Sequence, residues 1–392
     1  MSRKSILIQN GTVHLENRAL PQADIYIKDG KIAEIFHEEE PPQEIREQAE
    51  IIDAAGQHVI PGFIDTHIHG AYGADVMDAT PEALQTMAEF LPQEGTTTFL
   101  ATTITQAPEN IERALQNVAD YTSGAGQAEV VGIHLEGPFV EKSKAGAQPK
   151  EFIIKPDLDL FNKWQEMSGN NIKTITMAPE HDPDGHFIQA LNEAGVVVSA
   201  GHTNAGFADM EQALKQGVRQ LTHLCNAMNG IHHRDVGAIG AAFLLEGLAG
   251  ELIADGIHVS KEMLQLIFDQ MGSERIILIT DAMRAKGLPP GDYELGGQPV
   301  IVNEDRAVLE DGTLAGSILK MRDGVRKMLS LDGVELRDVI QMAAVNPAKQ
   351  IGLFDRKGSI EKGKDADVLI VDEQINIKYT ICRGAISYKG GL

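Results

Sequence analysis

Near its start the chain alternates apolar and polar positions in short runs separated by turn residues. Ile6-Leu-Ile8 precedes Asn10-Gly11, Asp24-Ile-Tyr-Ile-Lys28 precedes Asp29-Gly30, and Lys31-Ile-Ala-Glu-Ile35 follows. Period-two alternation broken by Asn-Gly and Asp-Gly predicts β-hairpins. The same style returns near the other end in Ala366–Val371, Ile375–Ile381 and Ala385–Tyr388. Neither set buries a core alone, so the two are expected to pack together as one small sheet domain. Between Glu38 and Glu50, two prolines and six glutamates read as a solvated loop.

In the middle of the chain the period lengthens to that of helices. Thr80-Pro81 starts one, with the hydroxyl as cap and proline in the first turn, and Leu84, Met87, Ala88 and Leu91 share a face. From Pro108 to Thr122 the spacing recurs in Ile111, Ala114, Leu115, Val118 and Ala119. Further helices are expected from about Pro183 to Ala194 and from Phe207 to Gln216, ended by Gly195 and Gly217, with another after Ser260. Short apolar runs lie between the helices: Val130–Ile133, Ile172–Met177, Val196–Ser199, Gln220–Thr222, Leu252–Ala254 and Ile276–Thr280. Such strands, alternating with helices, predict a parallel sheet covered by helices.

A (β/α)8 barrel and an open doubly wound sheet share that alternation. No Gly-x-Gly-x-x-Gly opens a helix after the first strand. Metal-capable side chains instead recur at the C-terminal ends of successive strands, where barrel enzymes gather their active sites. The expected fold is α/β, a (β/α)8 TIM-like barrel over residues 62–347 with a small β-sandwich domain formed by residues 1–61 and 348–392.

Composition narrows the partners. With 43% hydrophobic and 23% charged residues, the 392-residue chain is an ordinary globular one, which excludes collagen-like, disordered and disulfide-scaffold classes. A net charge of −23 repels nucleic acid and anionic membrane surfaces, and an anionic small substrate would need a local basic pocket. Cys225 and Cys382 are far apart and in no metal-ligand spacing, which fits a reducing cytoplasm. The first residues lack a signal-peptide core, and the apolar stretch Gly237–Ala254 is interrupted by Glu246 and Glu251, so neither secretion nor a membrane span is expected.

The polar strand ends carry the chemistry. His67 and His69 follow an apolar run at i and i+2, on one face of a strand, and can share one metal. Glu136 ends the strand begun at Val130, His202 follows Val196–Gly201, His223 ends Arg219–Thr222, and Asp281 ends Ile276–Thr280. An unpaired imidazole or carboxylate after a buried run is costly, so something must satisfy these groups together. Four histidines and two carboxylates at one barrel mouth make an oxygen/nitrogen site for one or two divalent first-row ions. That chemistry suits amide hydrolysis, with Asp281 as the proton carrier between attacking water and departing amine. His134 reads as an interior histidine or a group behind the ligands.

Seven runs together resemble the N-acetylglucosamine-6-phosphate deacetylases of the amidohydrolase superfamily. They are Phe63-Ile-Asp-Thr-His-Ile-His69, Gly132-Ile-His-Leu-Glu-Gly-Pro-Phe139, Gly201-His-Thr-Asn-Ala205, Thr222-His-Leu-Cys-Asn-Ala-Met228, Asp255-Gly-Ile-His258, Thr280-Asp-Ala282 and Leu314-Ala-Gly-Ser317. The resemblance continues through Asn346-Pro-Ala-Lys349 to Gly363–Val368 and so covers nearly the whole chain. It implies a metal-dependent barrel that removes acetate from N-acetyl-D-glucosamine 6-phosphate, giving D-glucosamine 6-phosphate in amino-sugar catabolism. Glu136, His202 and His223 would hold the principal metal and Asp281 would be the general acid/base. With His67 and His69 present, a second metal bridged through Glu136 is expected. Zinc is the default ion, with iron, manganese and cobalt open.

For the phosphosugar the resemblance points to Asn226, Ala227, Arg234 and His258, of which Arg and His suit phosphate oxygens. It has Arg234 reaching a neighbouring subunit's site, which implies a homodimer. Where some relatives carry a sugar-contacting histidine, this chain reads Ala145-Gly-Ala-Gln148-Pro149, which makes Gln148 an uncharged candidate for substrate binding. The competing readings are an N-acetylgalactosamine-6-phosphate deacetylase, a cyclic amidase and, in another class, an inactive scaffold.

Overall fold

The alternating runs at the two ends of the chain meet in one sheet. A computed structural model, describing residues 4–391, pairs β1 (Ile6–His14) antiparallel with β2 (Ala19–Lys28) and β2 with β3 (Lys31–Phe36). Asp29 and Gly30 between the last two have φ of 52° and 81°, the backbone a two-residue hairpin turn needs. β4 (Glu50–Asp53) and β5 (His58–Pro61) run parallel to β1. From the other end of the chain, the antiparallel β19 (Val368–Val371), β20 (Ile377–Cys382) and β21 (Ala385–Lys389) join this sheet through β5. Ile8, Ile25, Val59 and Val368 lie fully buried in its core.

The remaining strands form the barrel. β6 (Phe63–Ile68), β9 (Thr96–Thr102), β10 (Glu129–Glu136), β11 (Ile172–Met177), β12 (Val197–Ala200), β13 (Gln220–Leu221), β14 (Ala249–Ile253) and β15 (Ile276–Ile279) pair in parallel, each with the next. The sheet closes at the strand ends, where Ile68 bridges Ala282 and the Asp281 amide donates to the His67 carbonyl at 2.8 Å. That closure decides for the barrel over the open sheet. The helices cover its outside. In the helix Pro81–Phe90 the Thr80 hydroxyl accepts from the Ala83 amide, and Leu84, Met87 and Ala88 are fully buried. Each of the two larger side chains contributes about 1.5–3 kcal/mol of burial.

Two buried ionic clusters tie loops and sheets to the barrel. Lys357, 1% exposed, meets Glu129 at the start of β10 and Asp365 and Asp367 just before β19. Lys286, in the loop that follows β15, pairs with Glu94 just before β9, both fully buried.

Several elements differ from the sequence expectation. The span from Glu38 to Glu50 contains a helix, Gln43–Gln48, that buries no residue and is supported by i,i+4 side-chain bonds from Gln43 to Glu47 and Gln48 to Glu44. The Thr-rich strand β9 lacked the aliphatic run by which the others were recognised. The stretch Gly237–Ala254 divides into a helix, Gly237–Leu244, buried from Gly237 to Ala242, and β14. Two further small ladders lie outside the strands expected from the sequence: β7 (Gly70–Ala71) with β8 (Ala74–Asp75), and β16 (Gly291–Leu295) with β17 (Gln298–Val302) and β18 (Ala307–Val308). Among the described residues, no helix is long and apolar enough to cross a membrane.

Candidate metal centre and active site

The polar strand ends converge. His67, His69, Glu136, His202 and His223 are all at most 6% exposed and Asp281 is 8% exposed. Asp281 Oδ1 lies 3.4 Å from His67 Nε2 and 3.2 Å from His69 Nε2. Glu136 stands between these groups and the remaining two histidines. Its Oε1 is 3.3 Å from Nε2 of both His202 and His223 and 3.6 Å from His67 Nε2, while Oε2 is 3.3 Å from His69 Nε2. Two sets of donor atoms result among these six, one from His67, His69 and Asp281 and the other from Glu136, His202 and His223, while His67 also groups with His134 and Glu251 behind them.

Local backbone aims these side chains. His202, His223 and Asp281 have φ of 47°, 32° and 48°, a left-handed conformation uncommon for residues other than glycine and concentrated at functional sites. Gly137, next to Glu136, has φ 70°, and a Cβ there would come within 2.1 Å of Thr105 Oγ1. Only glycine fits that turn. Gln148 then reaches Glu136, donating from Nε2 to Oε2 at 2.7 Å while its Oε1 accepts from the Thr105 amide at 2.9 Å.

The hydrogen bonds leave electron pairs pointing inward. His202 Nδ1 is 2.9 Å from the Lys144 carbonyl, which only accepts, so Nδ1 carries a proton and, in the neutral ring, the Nε2 lone pair faces Glu136 and His223. His67 Nδ1 donates likewise to Glu251 Oε2 at 2.9 Å, and its Nε2 is buried with no hydrogen-bond partner. The Nε2 atoms of His202 and His223 face each other at 3.0 Å. Nitrogen lone pairs and carboxylates crowded together in this way fit a divalent cation.

The titration behaviour points the same way. Burial pushes the Glu136 carboxyl up, but the surrounding imidazoles, His67 first, hold it well below the usual carboxylate range. Asp281 is held down to about 2 against the same burial, by His67 and His69. Burial disfavours a charged His67, yet Asp281, Glu136 and Glu251 raise it to about 9. The carboxylates demand positive charge, and a divalent ion meets that demand while leaving Nε2 free to donate its pair.

A cavity of about 330 Å³ opens over the cluster and takes in all six residues except His67. Gln148, Asn226, Ala227 and His258 line it as well. His258 Nδ1 is 2.6 Å from Asp255 Oδ2. Arg234 does not line the cavity of its own chain; it is exposed in the loop around Ile231–Arg234, with its guanidinium 2.7 Å from His233 Nε2. His134 is fully buried behind His67 and bonds Thr176 Oγ1 at 2.7 Å. Sequence reasoning gave no site role to Lys144 and Leu295, which also line the cavity, or to Glu251 behind it, and Leu314, quoted in one of the seven runs, lines the cavity too. A larger groove of about 800 Å³ beside the β1–β2 turn carries mixed charges and none of the clustered donor sets.

The sequence matches the amidohydrolase family model over residues 58–386. The chain belongs to the amidohydrolase family. This amidohydrolase is 47% identical over 389 residues to the N-acetylglucosamine-6-phosphate deacetylase of Bacillus subtilis (strain 168), with 98% of each chain covered. It is 34% identical to the N-acetylgalactosamine-6-phosphate deacetylase of Escherichia coli O157:H7, over 94% of this chain and 95% of that one. Its fold matches a mutant N-acetyl-D-glucosamine-6-phosphate deacetylase from Mycobacterium smegmatis, solved in complex with N-acetyl-D-glucosamine-6-phosphate. The TM-score is 0.91 at 28% identity, covering 99% of this chain and 100% of that one.

Proposed function

We propose that this amidohydrolase removes the acetyl group of N-acetyl-D-glucosamine 6-phosphate, giving acetate and D-glucosamine 6-phosphate. The observation that carries the reading is the full-length likeness to a deacetylase of that substrate, at 47% identity, in a chain whose six metal-capable strand ends converge under one cavity.

His67, His69 and Asp281 on one side and Glu136, His202 and His223 on the other would hold one or two ions, zinc by default, with Glu136 shared between them. A divalent ion in such a site supplies Lewis acidity, which polarises an amide carbonyl and acidifies water. Asp281, ionised at neutral pH, takes the proton that the attacking water loses and returns it to the departing amine nitrogen, so that acetic acid and a neutral amine separate, and the acid then gives its remaining proton to the amine or to solvent. Gln148 holds Glu136 in place. Asn226, Ala227 and His258 orient the sugar from the cavity wall.

Arg234 serves the phosphate of a neighbouring subunit in a homodimer; its exposure outside its own cavity supports a role across a subunit boundary. The two unpaired cysteines support a cytoplasmic setting. The test is acetate release from N-acetylglucosamine 6-phosphate, N-acetylgalactosamine 6-phosphate, unphosphorylated N-acetylglucosamine and a cyclic ureide, with metal content measured on the same sample. Preference for the first substrate with stoichiometric metal is expected. Equal or better turnover of the galactosamine epimer would move the assignment to the Escherichia coli relative's activity, and no preference for a phosphorylated amide would reject it.

A further inference from the structure

We propose that Glu251 is a positioning residue that holds histidines of both halves of the metal site in their donor geometry. This rests on the metal-site reading above and adds to it a group that touches neither substrate nor reacting atoms. Glu251 sits within β14 with no exposed surface, where an unneeded carboxylate is expensive and an aliphatic side chain would pack at no such penalty.

Every contact of its carboxylate is to a donor. Oε1 accepts from Gln220 Nε2 at 2.5 Å, and Oε2 accepts from His67 Nδ1 at 2.9 Å and from the His223 amide at 3.4 Å. Its main chain joins in, the Glu251 carbonyl accepting from the Leu224 amide at 2.8 Å. One residue therefore fixes the ring of His67, which belongs to the set with His69 and Asp281, and the left-handed turn of His223, which belongs to the set with Glu136 and His202. The His67 ring is wedged from another side by His134, edge-on at 4.5 Å between ring centres, and His134 is itself held by Thr176. A carboxylate behind a metal-binding imidazole fixes the tautomer and raises the donor strength of the far nitrogen, and its loss typically weakens metal binding about 10–100-fold.

The experiment is calorimetric titration of chelator-treated wild type, Glu251→Gln and Gln220→Met with zinc chloride, together with visible absorption of the cobalt-loaded proteins. Glu251→Gln keeps the shape and removes the charge. It is expected to weaken one equivalent about 10–100-fold and the other less, and to change the cobalt spectrum. Gln220→Met removes one donor to the carboxylate without touching a histidine, and it is expected to weaken the same equivalent by a smaller factor. If Glu251→Gln does not fold, Gln220→Met decides the question. Wild-type affinities and spectra in a folded Glu251→Gln, or in Gln220→Met where that variant must decide, would overturn the proposal. A wild-type protein that turns over substrate but takes up no metal would overturn the metal-site reading itself, and this inference with it.

Discussion

Replacing Lys357 by Met tests what joins the barrel to the terminal sheet. The ammonium lies 2.8 Å from Glu129, 3.2 Å from Asp365 and in contact with Asp367. Methionine keeps the length of the side chain and leaves three carboxylates behind. Arg356 still pairs with Glu129 at 3.0 Å and Asp365 at 2.9 Å, and Lys31 with Asp365 at 2.6 Å. Among the described residues the Asp367 carboxylate keeps one hydrogen bond, from the Arg383 amide at 2.8 Å, and loses its direct ion pair, with Arg356 left to act on it through space. Breaking a buried pair from one side costs about 3–5 kcal/mol. With an unfolding entropy of about 2.1 cal/mol/K per residue over 392 residues, that lowers the melting temperature by about 4–6 °C. Calorimetry of the metal-loaded protein reads the shift, and acetate release well below the transition is expected to stay near wild type. Adding Asp367→Asn to Lys357→Met is expected to recover at least half of the loss, because it removes the orphaned charge. A single variant within about 0.5 kcal/mol of wild type, the scatter of ordinary surface changes, would refute the reasoning. So would a double variant less stable than the single one.

Asp281→Asn is expected to lower kcat about 10²–10⁴-fold, the usual contribution of a positioned proton carrier, while metal analysis still finds the equivalent held by Glu136, His202 and His223; near-normal turnover would remove Asp281 from that role. Arg234→Ala is expected to raise KM for the phosphorylated substrate about 10–100-fold, equivalent to a charged hydrogen bond of about 1.5–3 kcal/mol, with kcat little changed. Steady-state kinetics on phosphorylated and unphosphorylated substrate separates that effect from a general loss. Stability is expected to fall in acid. Burial opposes ionisation of Glu129 and Asp365, yet Lys357 and Arg356 beside both, and Lys31 beside Asp365, bring their folded values below the unfolded ones. The unfolded chain therefore binds more protons, and this stabilisation is complete above about pH 4 and is lost as pH falls through the lowered folded values. Lys357 is shifted upward, so its share is complete below about pH 10 and is lost as pH rises through its raised value. Urea midpoints between neutrality and pH 3 are expected to fall less steeply in Lys357→Met than in wild type.

The six metal-capable residues were legible because each interrupts or ends an apolar run, where only a shared partner makes burial tolerable. Glu251 gives the same signal, a charge inside Leu248–Ala254, and sequence reading used it only against a membrane span. What sets it apart is its contact with His67, 184 positions away, which local pattern does not carry. β9 escaped because threonine fills its positions; Thr96, Thr97, Thr98 and Thr102 are buried all the same, two of them bonding the chain at Phe63 and Ile68. Barrel closure was likewise beyond periodicity, since it depends on Ala282 meeting Ile68. Arg234 was named from the resemblance, and within the chain it lies outside the cavity.

The strained backbone at the strand ends explains why so many distant segments must cooperate to build one site. A left-handed conformation at a residue other than glycine costs on the order of 1–3 kcal/mol and persists only where the surroundings over-determine it. At Asp281 the amide donates to His67 and the carbonyl accepts from the Ser317 amide at 2.7 Å. At His223 the carbonyl accepts from the Asn226 amide at 2.9 Å, and the next amide is tied to β14. At His202 the carbonyl accepts from the Glu141 amide at 2.8 Å, and the next residue donates to Ala227 at 3.1 Å. None of the three is held by its own strand. His202 and Asp281 are held by loops or strands that carry or adjoin another member of the cluster, and His223 by a turn of its own loop and by β14, which bears Glu251, so the geometry of these donors depends on the neighbouring strands being in place. The strain stored at the rim is thus offset by cross-strand bonds that form only in the finished barrel, which makes the donor set a property of the closed fold and not of its separate βα units.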